Sequence, residues 1–407
     1  MISNGTWNLY IVLRSYKYRL TPTKAQERTL LHWLGLTREL YNAALQERRD
    51  GWQKHKLSVT ALTQMKEVPE VRIVRPEFKD VPVVVLRGAL RRLDKGFQAF
   101  FRRVKAGEKP GYPRFRSKQR WRSILIDDLH DRMPIVSGGK RVSIPLLGKV
   151  KFKQHRPMLG KPKAMHITLD NGRWYLTFAC VDVSANPLPP SDKSVGVDLG
   201  LHHFAATSDG QIVPNPRPLK QARVALERAA RKVSRRKKGS RRRRVAVRIL
   251  ARHHAHVANI RREHHIGLAR KLVGKYGTIF IEALNVKGLA AGSLAKSVND
   301  AGWAGFLHWL NVKAEEAGRS VVEVPPAGTS QTCPACGRVK RKELSERMHR
   351  CECGLVCDRD VAAAQVILKL GTSLRGAAPP VRGRRRSAKG ESKLAGPEHT
   401  VLPAEAM

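Results

Sequence analysis

The stretch Ser194-Val-Gly-Val-Asp-Leu-Gly200 decides how this chain is interpreted, because it places a single acid inside an otherwise apolar run. A short apolar run is typical of a buried β-strand, and a charged group within it is costly unless a partner compensates the charge. A second run, Thr278-Ile-Phe-Ile-Glu282, ends on an acid, and burying this charge without a partner is equally unfavourable. We therefore expect Asp198 and Glu282 to belong to a functional site.

A third acid follows late in the chain, where Asp358 and Asp360 flank Arg359 before an apolar helix predicted over 361–370. An Asp in a strand, a Glu in a later strand and an Asp opening a late helix is the chain order of ribonuclease H-like nucleases. In such sites the carboxylates hold two Mg²⁺ ions about 4 Å apart. Each acid alone is more often a cap or turn residue, but together they predict a catalytic, magnesium-binding site of Asp198, Glu282 and Asp360. Asp358 is the weaker candidate.

Five of the six cysteines lie between 333 and 357, in Cys333-Pro-Ala-Cys336-Gly, in Cys351-Glu-Cys353-Gly and at Cys357. Thiolates paired on tight turns are the ligands of structural zinc, and this segment has few large apolar side chains with which to fold without a metal. We expect one structural Zn²⁺ on Cys333, Cys336, Cys351 and Cys353. Cys357 can substitute for Cys353 or remain free, and Cys180 is expected to be a core residue of a strand.

The charge balance is extreme, with 78 Lys and Arg against 33 Asp and Glu, a net charge of +45 in 407 residues. Such a chain repels itself unless a polyanion neutralises it, and nucleic acid is the obvious polyanion. No apolar run of about 18 residues and no signal-peptide core is found, which disfavours a membrane partner. We therefore expect a cytoplasmic, nucleoid-associated prokaryotic protein. The alternative explanation of the charge is a GC-rich genome or a ribosomal RNA-binding protein.

Helices and strands alternate along the chain. Residues 10–20 predict a strand, Thr23 and Gln26 a capping box, 83–105 a basic amphipathic helix, and 120–185 a β-region with a hairpin turn at Asn171-Gly172. A long basic helical region over 219–275, interrupted near Gly239, carries several histidines that we expect on a solvated or RNA-facing surface. The residues expected to bind nucleic acid are Arg87, Arg91, Arg102, Arg103, Arg114, Arg116, Arg235, Arg236, Lys237 and Lys238.

Taken in order, these motifs resemble the TnpB family (OrfB of insertion sequences), which is related to type V CRISPR effectors. The resemblance covers about residues 14–370. Its pieces are Tyr16-Lys-Tyr-Arg-Leu-Thr-Pro22, Gly111-Tyr-Pro-Arg-Phe115, Gly196-Val-Asp-Leu-Gly200, Ser234-Arg-Arg-Lys-Lys-Gly-Ser240, Ile281-Glu-Ala-Leu-Asn285, Asp300-Ala-Gly-Trp303 and Thr329-Ser-Gln-Thr-Cys333-Pro-Ala-Cys336-Gly. Each piece alone is weak, and their order and spacing together are specific.

The resemblance implies an α/β multidomain protein. It places a wedge β-barrel over 1–22 and 118–186, a helical recognition lobe over 23–117, and a ribonuclease H-like (RuvC) nuclease domain over 191–328 and 358–371. A four-cysteine zinc ribbon is inserted over 329–357, and a disordered tail follows over 372–407.

The implied activity is Mg²⁺-dependent cleavage of double-stranded DNA by a monomer bound to a transposon-derived guide RNA, in support of transposon maintenance. Asp198, Glu282 and Asp360 match the family's three catalytic carboxylates, and the first four clustered cysteines match its zinc ribbon. One departure is Ala362, which stands where the family usually has Asn. The alternatives are a nuclease-inactive, RNA-guided DNA-binding repressor and a transposase that acts without guide RNA.

Overall fold

The computed structural model describes residues 11–127, 129, 135–136, 140–184, 187–326, 328–343 and 346–377. The chain forms two compact units, each built from separate segments. The first comprises Met1–Lys193, Pro214–Ile279 and Asn285–Val321, and the second comprises Ser194–Val213, Phe280–Leu284 and Val322–Met407. No helix among the described residues combines the length and apolar composition needed to span a lipid bilayer.

Strands and helices are numbered in chain order. The strands are β1 (Ile11–Thr21), β2 (Ser123–Ile126), β3 (Ile135–Val136), β4 (Arg141–Ile144), β5 (Gly148–Lys153), β6 (Lys161–Asp170), β7 (Arg173–Ser184), β8 (Ser194–Leu199), β9 (His203–Thr207), β10 (Ile212–Pro214), β11 (Thr278–Glu282), β12 (Ser320–Val324), β13 (Met348–Arg350) and β14 (Val356–Asp358). The helices are α1 (Lys24–His55), α2 (Ala61–Lys66), α3 (Val68–Val74), α4 (Val83–Lys105), α5 (Pro218–Ser234), α6 (Arg241–Lys275), α7 (Val286–Leu289), α8 (Ala295–Ala301), α9 (Trp303–Ala317) and α10 (Arg359–Ala377).

The first unit contains a seven-stranded sheet in the order β2-β6-β7-β1-β5-β4-β3, which joins the N-terminal strand to the strands of the predicted β-region. Alternate side chains of β1, namely Tyr16, Tyr18 and Leu20, are buried, as expected of a strand with one face on a core. The predicted hairpin turn is confirmed, because Asn171 and Gly172 both adopt positive φ between β6 and β7. Among the described residues, β2 and β3 are the two edge strands of this sheet, so its closure into a barrel remains a prediction.

The helices of the first unit begin where local signals predict. The Thr23 hydroxyl accepts the N–H of Gln26 and the Gln26 side chain accepts the N–H of Thr23, so the capping box that starts α1 is confirmed. The helix α4 occupies the predicted residues and packs against α1 and β2. The approach to β2 depends on Gly88, where a Cβ would lie closer than 3.0 Å to the Leu125 backbone.

The basic helices α5 and α6 pack against each other, and α6 packs against α9. The buried Asp300 carboxylate accepts the N–H groups of Leu219 and Lys220 at the start of α5. The expectation that all histidines of α6 face solvent or RNA is wrong for His265. Its ring is 3% exposed, its Nε2 lies 2.9 Å from the Ala301 oxygen, and burial lowers its pKa to about 4. His265 is therefore a neutral core residue.

The second unit is organised around a five-stranded sheet in the order β10-β9-β8-β11-β12, with α10 packed on β8 and β9. Gly196 permits this packing, because a Cβ there would lie closer than 3.0 Å to backbone atoms of Ala364 and Leu368. Phe280, Val324 and Ile367 form a buried cluster between sheet and helix.

The predicted final helix is too short, and the tail predicted to be disordered from 372 is wrong for residues 372–377, which continue α10. Gly371 lies inside this helix, where a Cβ would meet the Phe280 ring closer than 3.0 Å, so the glycine allows close packing. The rest of the predicted tail, 378–407, lies outside the described residues.

Candidate functional site

Three predicted acids meet at one end of the five-stranded sheet. Asp198 is the penultimate residue of β8, and Glu282 is the last residue of the neighbouring strand β11. Asp360 lies in the first turn of α10, and a Cβ at Gly200 would lie 3.6 Å from its Oδ2, so its carboxylate reaches the end of β8. All three side chains are half-buried, which leaves each accessible from one side.

The surroundings of Asp198 raise its affinity for protons. Burial, followed by the negative charges of Glu282 and Asp360, raises the pKa of Asp198 to about 8, although the Leu199 N–H and the Arg359 charge oppose this. A carboxyl group in this situation is mostly protonated at neutral pH unless a cation balances the cluster. Three neighbouring carboxylates that lack a balancing positive charge are oxygen ligands of the kind that Mg²⁺ prefers. The donor set therefore fits the predicted metal.

Glu282 has a partner that sequence analysis missed. Burial raises the pKa of Glu282, and the Thr329 hydroxyl opposes this by donating a hydrogen bond to its Oε1. Thr329 is only 3% exposed, so this bond is shielded from water. The sole hint in the sequence was that Thr329 opens the motif containing Cys333. The bond crosses 47 positions of the chain, which no local pattern reveals.

Asp358, the weaker metal candidate, has a defined structural role. Its Oδ1 accepts the backbone N–H of Asp360 at 2.8 Å and that of Val361 at 3.3 Å. These bonds satisfy free donors at the start of α10 and fix the first turn, which carries Asp360. Ala362, where the family usually has Asn, is 1% exposed, so its side chain lies on a buried face of α10.

The four predicted zinc ligands come together. The sulfurs of Cys333, Cys336, Cys351 and Cys353 all lie within 4.8 Å of one another, and two Sγ–Sγ distances are 3.6 Å. A tetrahedron with Zn–S bonds of about 2.3 Å has edges of about 3.8 Å, so the cluster matches zinc. Burial tends to raise the pKa of the Cys333 thiol, but the Cys336 N–H and other hydrogen bonds bring it down to about 5, which favours the thiolate. Cys357 is outside this group.

Cys180 is fully buried in the core of the first unit, as predicted. Its thiol lies in β7, away from the four-cysteine cluster, and burial raises its pKa. A buried neutral thiol of this kind packs as a small apolar side chain.

The basic residues expected to bind nucleic acid lie in the first unit, and most are exposed. Arg91 differs because its guanidinium is half-buried and forms an ion pair with Asp127. Arg103 is 3.9 Å from Glu108, a weak exposed pair. The nine residues other than Arg91 are exposed: Arg87 lies near the start of α4, and the residues at the end of α4, in the loop that follows it and in the turn before α6 are Arg102, Arg103, Arg114, Arg116, Arg235, Arg236, Lys237 and Lys238.

Three family models match the chain. A domain described as "Probable transposase" matches residues 178–292, and one described as "Cas12f1-like, TNB domain" matches 303–367, which contains the four cysteines and Asp360. A "Helix-turn-helix domain" matches 12–56, where the structure has the strand β1 and the single helix α1.

Proteins of similar length match almost end to end. A Streptomyces pristinaespiralis protein named "Putative RNA-guided DNA endonuclease" is 30% identical, over 93% of this chain and 94% of its own. The Escherichia coli K12 protein "Putative RNA-guided DNA endonuclease InsQ" is 26% identical, over 88% and 92%. Among solved structures, a chain of a Cas12f1-sgRNA-target DNA complex superposes with a TM-score of 0.54 at 13% identity, covering 88% of this chain and 98% of that one. This last likeness concerns the fold.

Proposed function

Since this chain belongs to the TnpB family, we propose that it is an RNA-guided, Mg²⁺-dependent endonuclease that cuts double-stranded DNA and supports maintenance of an insertion sequence. One observation carries the proposal: Asp198, Glu282 and Asp360 lie close together on two neighbouring strands and a helix, where burial and then the charges of the other two acids raise the pKa of Asp198 to about 8. A folded protein retains such a cluster when a bound cation balances it.

The residues have distinct roles in this proposal. Asp198, Glu282 and Asp360 would hold two Mg²⁺ ions, which supply an activated water and stabilise the leaving oxygen of the phosphodiester. Thr329 donates a hydrogen bond that favours the ionised form of Glu282 and orients its carboxylate. Asp358 fixes the first turn of α10, so that Asp360 faces the end of β8.

We assign the fold of the nuclease to the RuvC type, with the five-stranded sheet and α10 as its centre. The segment containing β13 and β14 would be a zinc ribbon with one structural ion on Cys333, Cys336, Cys351 and Cys353, since four thiolates leave no position open for water. The seven-stranded sheet would be the wedge domain, and the helices of 24–105 the recognition lobe. The domain boundaries are those predicted from the sequence, except that α10 extends the nuclease through Ala377.

The partners follow from charge and family. A surplus of +45 favours a polyanion, and the proposed partner is a transposon-derived guide RNA bound to a protein monomer. Base pairing between that RNA and the target would supply sequence specificity, while the protein holds the duplex by its backbone and shape. The complex would act on DNA in the cytoplasm, at the nucleoid.

The decisive experiment starts with protein expressed together with its native downstream DNA. Bound RNA is sequenced, and a duplex that matches its 3′ end is offered with a randomised flank and Mg²⁺. Cutting of the matched duplex, absent from an unmatched one, supports the guided nuclease. Asp198→Ala, Glu282→Ala and Asp360→Ala should each abolish cutting and retain RNA and DNA binding. Retained cutting in any of the three would remove that residue from the site.

One observation favours a second candidate, a nuclease-inactive repressor guided by RNA. Ala362 replaces the Asn of the family and is buried next to the turn that carries Asp360. Target binding without cutting by the wild-type complex would establish this alternative. Strand transfer on transposon ends in the absence of RNA would establish the transposase instead.

A further inference from the structure

A cavity of about 610 Å³ lies within the first unit, between the loop that follows α4 and the start of α6. Its lining includes Gln119 from the loop and, from α6, Arg241, Arg243, Arg244, Val247 and Arg248. The turn between β6 and β7 also approaches it, since a Cβ at Gly172 would lie 3.7 Å from Cδ of Arg248. The cavity therefore joins parts of the chain that are far apart in sequence.

The four arginine side chains of this cavity have no hydrogen bond or ion pair within the part of the chain that the structure describes. No Asp or Glu occurs between Glu227 and Glu263, so α6 offers no nearby acid. The neighbouring helix α5 differs, because Arg223 lies 3.8 Å from Glu227 on the same face. The positive charge around the cavity is thus free to meet an external anion.

The position of these arginines opposes the stability of the helix. Helix N-termini carry a partial positive charge, so a cation in the first turn is unfavourable and an acid is favourable. The first turn of α6 contains no acid and begins with Arg241, while Ser240 caps the helix by accepting the N–H of Arg243. Repulsion among the guanidiniums adds to this cost. An anion bound in the cavity would reverse both effects.

The lining selects the kind of anion. Pockets for small molecules and cofactors of this volume are lined mostly by apolar and aromatic groups. Here Val247 is the one aliphatic side chain of the lining, and no aromatic ring is present on which an unpaired base could stack. Guanidinium groups match phosphate oxygens in geometry and charge. The cavity therefore suits a phosphodiester backbone, and contacts of that kind position a nucleic acid without reading its bases.

We propose that Arg241, Arg243, Arg244 and Arg248 form a binding site for the phosphate backbone of the guide RNA. This inference rests on the proposed function. RNA is favoured over target DNA because the four guanidiniums lack an acidic partner at all times, and not only during cutting. A partner that stays bound compensates them continuously, whereas a target is bound only during cutting.

The test compares two double variants of α6 that remove equal charge. Arg244→Gln with Arg248→Gln changes the lining, and Arg242→Gln with Arg252→Gln changes exposed residues of the same helix that do not line the cavity. Gln has nearly the helix propensity of Arg, so both should fold. RNA affinity is measured for each as a function of salt, without DNA. Target binding is then measured with saturating RNA.

The lining variant should bind RNA roughly tenfold more weakly, and its slope of log affinity against log salt should fall by about 1.4–1.8 for two lost phosphate contacts. The control variant should show little change. Equal loss in both variants, or none in the lining variant while wild type binds RNA, would overturn the site and leave the proposed function intact. A defect in target binding alone would assign the cavity to DNA and refute the RNA assignment. A wild-type protein that binds no RNA would overturn both.

Discussion

Thr329→Val tests the electrostatics of the nuclease site with a single hydroxyl group. Valine has almost the shape of threonine, so the buried packing around residue 329 should change little. What disappears is the hydroxyl, which contacts the Glu282 carboxylate and, at 3.3 Å, the Pro326 oxygen, and burial then raises the pKa of Glu282 without opposition from that donor. A proton and Mg²⁺ compete for the same carboxylate, so the variant should hold Mg²⁺ less well.

The magnitude follows from the nature of the bond. A hydrogen bond to a charged group contributes about 1.5–3 kcal/mol, and 1.4 kcal/mol is a tenfold change in an equilibrium constant. Because Glu282 is half-exposed, we take the lower end and expect the apparent Mg²⁺ affinity to fall about tenfold. The loss should be largest at low pH and shrink as pH rises, because deprotonation removes the competitor. The acid limb of the pH–rate profile should therefore move to higher pH.

The assay is the rate of target cleavage by the RNA-loaded protein over a range of Mg²⁺ concentrations and pH values. Thr329→Ser is the matched control, because it keeps the hydroxyl and loses only a methyl group. The reasoning would be refuted if the valine variant kept the wild-type Mg²⁺ dependence and pH profile. Equal defects in the serine and valine variants would point to packing and away from the hydrogen bond.

Three further predictions concern the acids, the cysteines and the glycine under α10. With metal removed, the melting temperature of Asp198→Asn should exceed that of wild type at pH 8 and equal it near pH 4. The reason is that a carboxyl group whose pKa rises to about 8 on folding destabilises the folded protein increasingly as pH rises from about 4 to 8. A difference in melting temperature that stays the same at both pH values would contradict this. Elemental analysis should find one zinc per chain in Cys357→Ser and none in Cys333→Ser, and equal zinc in both would disprove the ligand set. Gly196→Ala should lower the free energy of unfolding by about 1–3 kcal/mol, whereas Gly35→Ala, with open space around it, should not; similar denaturation midpoints would count against the close packing of α10.

Sequence reasoning succeeded where a local rule determines the structure. The strand Thr278–Glu282 and the helix Val83–Lys105 occupy the predicted residues, because apolar periodicity and strand or helix boundaries are encoded within each segment. The turn at Asn171-Gly172 and the capping box of Thr23 are equally local. The meeting of the three acids was also expected, since it follows from their order on strands and helix.

The errors arose where a residue's role depends on a distant part of the chain. The helix predicted to end at residue 370 continues past Gly371, and the Phe280 ring that packs on this glycine lies on a strand far away in the sequence. His265 sits in a basic, histidine-rich stretch, and only its contact with Ala301 shows that it is buried. Thr329 is one hydroxyl among many until the fold brings it to Glu282.

The interleaved layout of the two units has a consequence for synthesis. The segments of the first unit end at Val321, whereas the second unit gains Asp360 only when α10 has been made. At about 5–20 residues per second, a nascent chain spends several seconds with two of its three acids. Under the proposed function, a message truncated in this interval would yield a product that contains every segment of the first unit but lacks Asp360. Such products should act as competitors of the intact protein for guide RNA, which would lower cutting in a cell without any change in the intact protein.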